Sequence, residues 1–148
     1  MTTYIQSGNV LFESDSPRGS LEADLEATLE RRFGVALPVM VRSHRQLRSV
    51  VGRAPDGFGA HPDMYHSDVI FLKAALTSRR ALQRFELREG VDRAWEGTSV
   101  VYFDRLSERR TQSRMGRIAG TREYQQMTIR SWSTTTKLLG LLDERHAG

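Results

Sequence analysis

Two short segments carry side chains suited to chemistry. In the first, Gln6-Ser7-Gly8-Asn9 interrupts an otherwise apolar, β-branched stretch, TYIQSGNVLFE over residues 3–13. Polar groups in such a strand must hydrogen-bond to something, either a neighbouring loop or a ligand. The second segment, Thr128 to Leu138, places Arg130, Trp132, Thr134 and Lys137 at an expected strand-to-helix junction. A helix start directs unpaired N–H groups outward, and cations beside it suit an anion. The same residues admit a structural reading, with Trp132 as a core plug, Thr134 as a helix cap and Arg130 paired with a carboxylate. Arg114 and Arg117 lie in an Arg-rich stretch just upstream. The candidate ligand-binding residues are therefore Gln6, Ser7, Asn9, Arg114, Arg117, Arg130, Trp132, Thr134 and Lys137.

Other chemistries find little support. His61, Asp63, His66 and Asp68 cluster in HPDMYHSD, but on a proline-containing loop without the spacing of a metal-binding helix such as HExxH, so no metal is expected. No GxSxG elbow and no Walker or dinucleotide glycine pattern is present. Thr134-Thr135-Thr136-Lys137 has a lysine beside hydroxyls but no preceding glycine loop, which excludes a P-loop cradle and makes the hydroxyls helix-start residues. No cofactor and no catalytic residue can be assigned.

Charge points weakly to anionic partners. The 148 residues carry 22 Lys+Arg against 18 Asp+Glu, a net +4, unevenly spread. Residues 1–70 hold seven arginines and nine acids, whereas residues 71–148 hold fifteen cations and nine acids. Within 105–137 eight cations (Arg105, Arg109, Arg110, Arg114, Arg117, Arg122, Arg130, Lys137) face only Glu108 and Glu123. Such a stretch attracts phosphate through its summed field and through bidentate arginine bonds. Only two of the 22 cations are lysine, a bias that the codon usage of a GC-rich genome explains equally well. Without cysteine there is no disulfide, iron–sulfur cluster or thiol nucleophile. No apolar run approaches the roughly 20 residues of a membrane helix. A cytoplasmic protein with no membrane partner is expected.

The elements that must position these residues alternate between helix and strand. Leu21, Leu25, Leu29 and Phe33 recur every fourth residue and predict a helix over 20–33 with an apolar stripe, stopped by Gly34. Residues 35–42 read as a strand, and 44–53 as a short helix with Leu47, Val50 and Val51 inward. The loop 54–66 divides the chain into an N-terminal α+β subdomain, 1–56, and a C-terminal one, 57–148. Val69-Ile70-Phe71-Leu72 predicts a strand covered on both faces. A helix over 78–88 capped by Thr77 or Ser78, a strand ending at Gly97, a strand over 98–103 and a short helix around 111–118 follow. A strand over 126–132 and a helix over 133–145, with Leu138, Leu141 and Leu142 inward, complete the chain. The pattern gives an α+β fold, with helices on one face of mainly antiparallel sheets.

TYIQSGNV at residues 3–10, Arg114-Met115-Gly116-Arg117 and the block from Thr128 to Leu138 together resemble the bacterial domain of unknown function 1697 family. The resemblance runs over essentially the whole chain. It implies two ferredoxin-like subdomains and no established activity. Family members usually carry a further strand and helix with an RGINVGG-like segment ahead of the position of Tyr4. Its absence here suggests a misplaced start or a truncated copy, with an exposed sheet edge and apolar surface in the first subdomain. The family also usually sets Asn beside the tryptophan, where this chain has Ser131 and Ser133.

Three functional readings follow. The first is a binding module for a phosphorylated small molecule or nucleic acid. The second is an enzyme whose site joins Gln6, Ser7 and Asn9 to the C-terminal block, which requires the two motifs to meet. The third is a structural or interaction domain without a ligand.

Overall fold

The structure, a computed structural model, describes residues 2–4, 9–11, 14, 16–34 and 36–147. Gln6 and Ser7 lie outside the described residues. Strands β1 (Thr2–Tyr4) and β2 (Asn9–Leu11) form an antiparallel pair in which Tyr4 faces Asn9. Helix α1 (Arg18–Phe33) ends where Gly34 takes a φ of 70° and donates its N–H to the Glu30 carbonyl at 2.8 Å, a conformation that favours glycine. Helix α2 (His44–Gly52) opens with a reciprocal cap: Ser43 Oγ accepts from the Gln46 N–H, and Gln46 Oε1 accepts from the Ser43 N–H.

The rest builds one four-stranded antiparallel sheet. Its strands are β3 (Tyr65–Leu72), β4 (Asp92–Glu96), β5 (Val100–Leu106) and β6 (Met127–Ser131), in the order β4-β5-β3-β6. Helix α3 (Ser78–Arg84) joins β3 to β4, and three 3-10 turns (Ser107–Gln112, Met115–Gly120, Arg122–Gln126) join β5 to β6. Helix α4 (Trp132–Ala147) ends the chain. The strand order is that of a ferredoxin-like unit, with 3-10 turns in place of the second connecting helix.

The apolar run of β3 explains the layering, because alternate residues of a strand face opposite ways. Ile70 and Leu72 join Val101, Phe103, Ala81, Phe85, Met115 and Ile118 under α3 and the 3-10 turns. Val69 and Phe71 join Val100 and Tyr102 under Leu47 and Val50 of α2, Phe58, and Leu138 and Leu142 of α4. Helices therefore cover both faces of this sheet, where the sequence suggested one. The expected two-sided burial of Val69-Ile70-Phe71-Leu72 is present, each residue being 7 % exposed or less.

Three local expectations change. Residues 36–43 form no strand; the N–H groups of Val39 and Val41 donate instead to the carboxylates of Glu26 (3.2 Å) and Glu22 (2.8 Å). A helix side chain has taken the place of a neighbouring strand. The apolar stripe of α1 is sheltered only in part: Leu21 and Leu29 are half-buried, Leu25 is 38 % and Phe33 60 % exposed, and Glu22 is the helix's buried residue. Helix α3 stops at Arg84, because Phe85 adopts an extended backbone and buries its ring against Phe103.

Candidate functional site

Strand β6 sets Arg130 on the sheet face that α2 and α4 cover, opposite Val69 in register. Its Nε donates to Asn9 Oδ1 at 3.1 Å, bridging two motifs 121 positions apart. Its Nη1 donates to Thr128 Oγ1 and to the Ile129 carbonyl, both at 2.9 Å. These acceptors are neutral, and among the described residues no carboxylate pairs with Arg130. Burial alone lowers the proton affinity of this guanidinium from its ordinary value, as expected of a charge with part of its hydration removed. A half-buried cation held by neutral dipoles retains a field that an anion can satisfy.

The start of α4 lies immediately beyond. Ser131 Oγ accepts from the Thr134 N–H at 3.1 Å, so Ser131 caps the helix where Thr134 was expected to. Thr135 Oγ1 and Thr136 Oγ1 donate back to the Ser131 and Trp132 carbonyls, consuming two more hydroxyls locally. Thr134 is half-buried and Lys137 is exposed on the first two turns. Trp132 is a packing residue: its indole meets the Phe58 ring edge-on at 5.2 Å between centroids. Gly59, at φ 75°, lies so close that any Cβ there would overlap the indole.

Arg114 and Arg117 are elsewhere. Arg114 immediately precedes and Arg117 lies on the second 3-10 turn, whose Met115 and Ile118 pack on the opposite face of the sheet from α4. The Arg114 N–H donates to Asp92 Oδ2 at 2.9 Å, an oxygen that also accepts from the Arg88 N–H. The Arg114 Nε is buried without a hydrogen-bond partner. Arg117 pairs with Glu86 at 3.3 Å, both ends well exposed, a pairing worth little. The structure thus joins Asn9, Arg130 and the start of α4, and separates Arg114 and Arg117 from them by the sheet.

Two groups that sequence reasoning passed over have unusual surroundings. The Arg42 side chain is 8 % exposed and donates to the Val41, Leu72 and Ser99 carbonyls at 2.9, 2.5 and 3.2 Å. Burial, then the nearby Arg18, bring its pKa down to about 10, with Glu22 opposing. Nothing in the sequence marks one arginine after an apolar segment as buried. Asp68, inside β3, is pushed up by burial, with His66 and Arg105 holding it down. Among the described residues no three His, Cys, Asp or Glu side chains gather where a metal ion could be held. No described helix is long and apolar enough to cross a membrane.

Comparison with known proteins accords with this architecture. The profile of the family described as Protein of unknown function (DUF1697) matches residues 1–102, and the chain belongs to that family. The matched span includes Asn9 and ends before β6. The chain is similar to a conserved bacterial protein, SP0830 from Streptococcus pneumoniae, at a TM-score of 0.73 and 17 % identity. That alignment covers 95 % of this chain and 78 % of the other, a likeness of fold. No curated protein matches it.

Proposed function

We propose that this protein is a binding module for an anionic ligand, a phosphorylated small molecule or nucleic acid, with Arg130 as its anchor. The observation that carries the reading is the half-buried Arg130 guanidinium, bonded to Asn9, Thr128 and Ile129 and paired with no described carboxylate. In this reading the ligand's phosphate takes the place of a counter-ion. Thr134 and Lys137, on the first turns of α4, flank it, and Trp132 stiffens the junction from below. The division into subdomains 1–56 and 57–148 belongs to the same proposal. Asn9 comes from the first and Arg130 from the second, so the ligand sits where they meet.

Arg114 and Arg117 serve a ligand only if it is long enough to pass around the sheet, which separates the two ligand classes experimentally. Retention of the wild-type protein on heparin is expected to fall in Arg130→Gln. A parallel fall in Arg117→Gln points to an extended nucleic acid, and unchanged retention in that variant to a small phosphorylated molecule. Retention unaffected by Arg130→Gln, in a protein with unchanged circular dichroism, overturns the reading.

A further inference from the structure

A small cavity lies where α2 meets the turn between β4 and β5. Its volume is about 90 Å³, and Arg18, Arg42, Arg53, Ser49, Ser99 and Tyr102 are among its lining, with no acid among the described residues that line it. Three guanidinium groups line this one small cavity, and Arg18 contributes to the lowering of the Arg42 pKa. Among the described residues, the surrounding acids do not balance them. The Glu22 carboxylate is shared by Arg18 at 3.5 Å, Arg42 at 3.8 Å and Lys73 at 4.0 Å. The Glu26 carboxylate takes Lys73 at 2.6 Å. With Arg53, four described cations stand against these two described carboxylates, a surplus that one dianion would neutralise.

The backbone around the cavity is arranged compatibly. A helix C-terminus would repel an anion through its unpaired carbonyls. At the end of α2 three of these have donors: the Tyr102 hydroxyl donates to the Val50 carbonyl at 2.6 Å, and the Arg53 N–H donates to the Ser49 and Val51 carbonyls. Ser99, in the hairpin turn, has a φ of 58°, the sole described non-glycine residue at positive φ. Such a conformation is costly and persists where its surroundings hold it. Here the Ser99 carbonyl is fixed by both the Arg42 guanidinium and the Leu72 N–H. The hydroxyls of Ser49 and Ser99 add neutral donors to the guanidinium groups.

We infer that this cavity binds a tetrahedral oxyanion, either free phosphate or the terminal group of a phosphomonoester. A single water needs about 10–15 Å³ of such space, so the volume has room for one phosphate group. The inference does not depend on Arg130, which lies on another strand.

Inorganic phosphate, titrated into the full chain and followed by amide chemical shifts, tests it. Saturable shifts at Ser49, Arg53 and Ser99 are expected. Arg18→Gln and Arg53→Gln should each weaken the binding about tenfold, and Arg130→Gln should leave these shifts unchanged. Arg42 is avoided as a probe because it holds the Leu72 and Ser99 carbonyls. Competition by glycerol 3-phosphate at the same amides identifies a phosphomonoester as occupant, and binding of phosphate without that competition identifies the free ion. Absence of saturable shifts at these amides, or shifts unaltered by Arg18→Gln and Arg53→Gln in folded protein, overturns the inference.

Discussion

The Arg130 Nε lies 3.1 Å from Asn9 Oδ1, joining strand β2 to strand β6. The bond is directional and serves a charged donor, so its removal strands a half-buried N–H. Asn9→Ala is expected to cost about 1–2 kcal/mol, measured by urea unfolding, and to lower heparin retention because Arg130 loses its orientation. A variant with unchanged stability and retention would show that Asn9 does not set the position of Arg130.

The start of α4 makes a sharper distinction between neighbouring hydroxyls. Ser131 accepts the Thr134 N–H, and Thr134 serves no such role. Ser131→Ala should therefore destabilise the protein by about 1 kcal/mol, and Thr134→Ala by clearly less. Denaturant unfolding of the two variants side by side decides which residue is the cap.

Gly59 and Trp132 are packed without room for a side chain. Gly59 has a φ of 75° and a Cβ there would overlap the indole, so Gly59→Ala should cost about 2–4 kcal/mol. Gly116 has nothing within 4 Å of its virtual Cβ, and Gly116→Ala should be near neutral. The contrast, read as a difference in melting temperature, tests the seat of Trp132 in the core.

Stability should respond to pH through two carboxyls of opposite sign. Glu123 is held below its ordinary 4.5 mainly by a bond from its own N–H, opposed by burial and assisted by Arg84 and Arg80. The folded state thus favours the ionised form, whose contribution is present above 4.5 and lost as the pH falls. Glu123→Gln should flatten that acid limb. Asp68 is raised from 3.8 by burial, so its contribution is present below 3.8 and lost as the pH rises through its folded value. The stability difference between wild type and Asp68→Asn should therefore shift against wild type as the pH climbs. Urea unfolding at stepped pH measures both, and parallel curves for wild type and variant would contradict either assignment.

The parts of the fold legible in the sequence are those with a strong period. Leu47 and Val50 marked the inner face of α2, and Val69-Ile70-Phe71-Leu72 announced a strand buried from both sides. The segment 36–43 was misread because β-branched residues signal extended backbone without telling what satisfies its N–H groups; here it is Glu22 and Glu26 of α1. The stripe of α1 was half right: Leu21 and Leu29 are half-buried, but the helix's buried residue is Glu22, which accepts from the Val41 N–H. Around the candidate site, the TYIQSGNV and Thr128–Leu138 motifs contain Asn9 and Arg130, which the fold brings within hydrogen-bond distance. Arg114 and Arg117 looked equivalent to Arg130 along the chain, but the 3-10 turns carry them to the other side of the sheet. Arg42 was invisible, since its burial arises from carbonyls of Leu72 and Ser99 that are distant in sequence.

The central claim is that Arg130 awaits an anion, and the Arg130 side-chain Nε–H resonance during phosphate titration of the isotope-labelled protein reports on it most directly. A saturable displacement of that resonance, with slowed exchange of its proton with water, is the result expected. A resonance that stays fixed while the Asn9 contact persists would show that the guanidinium is a structural pin and nothing more.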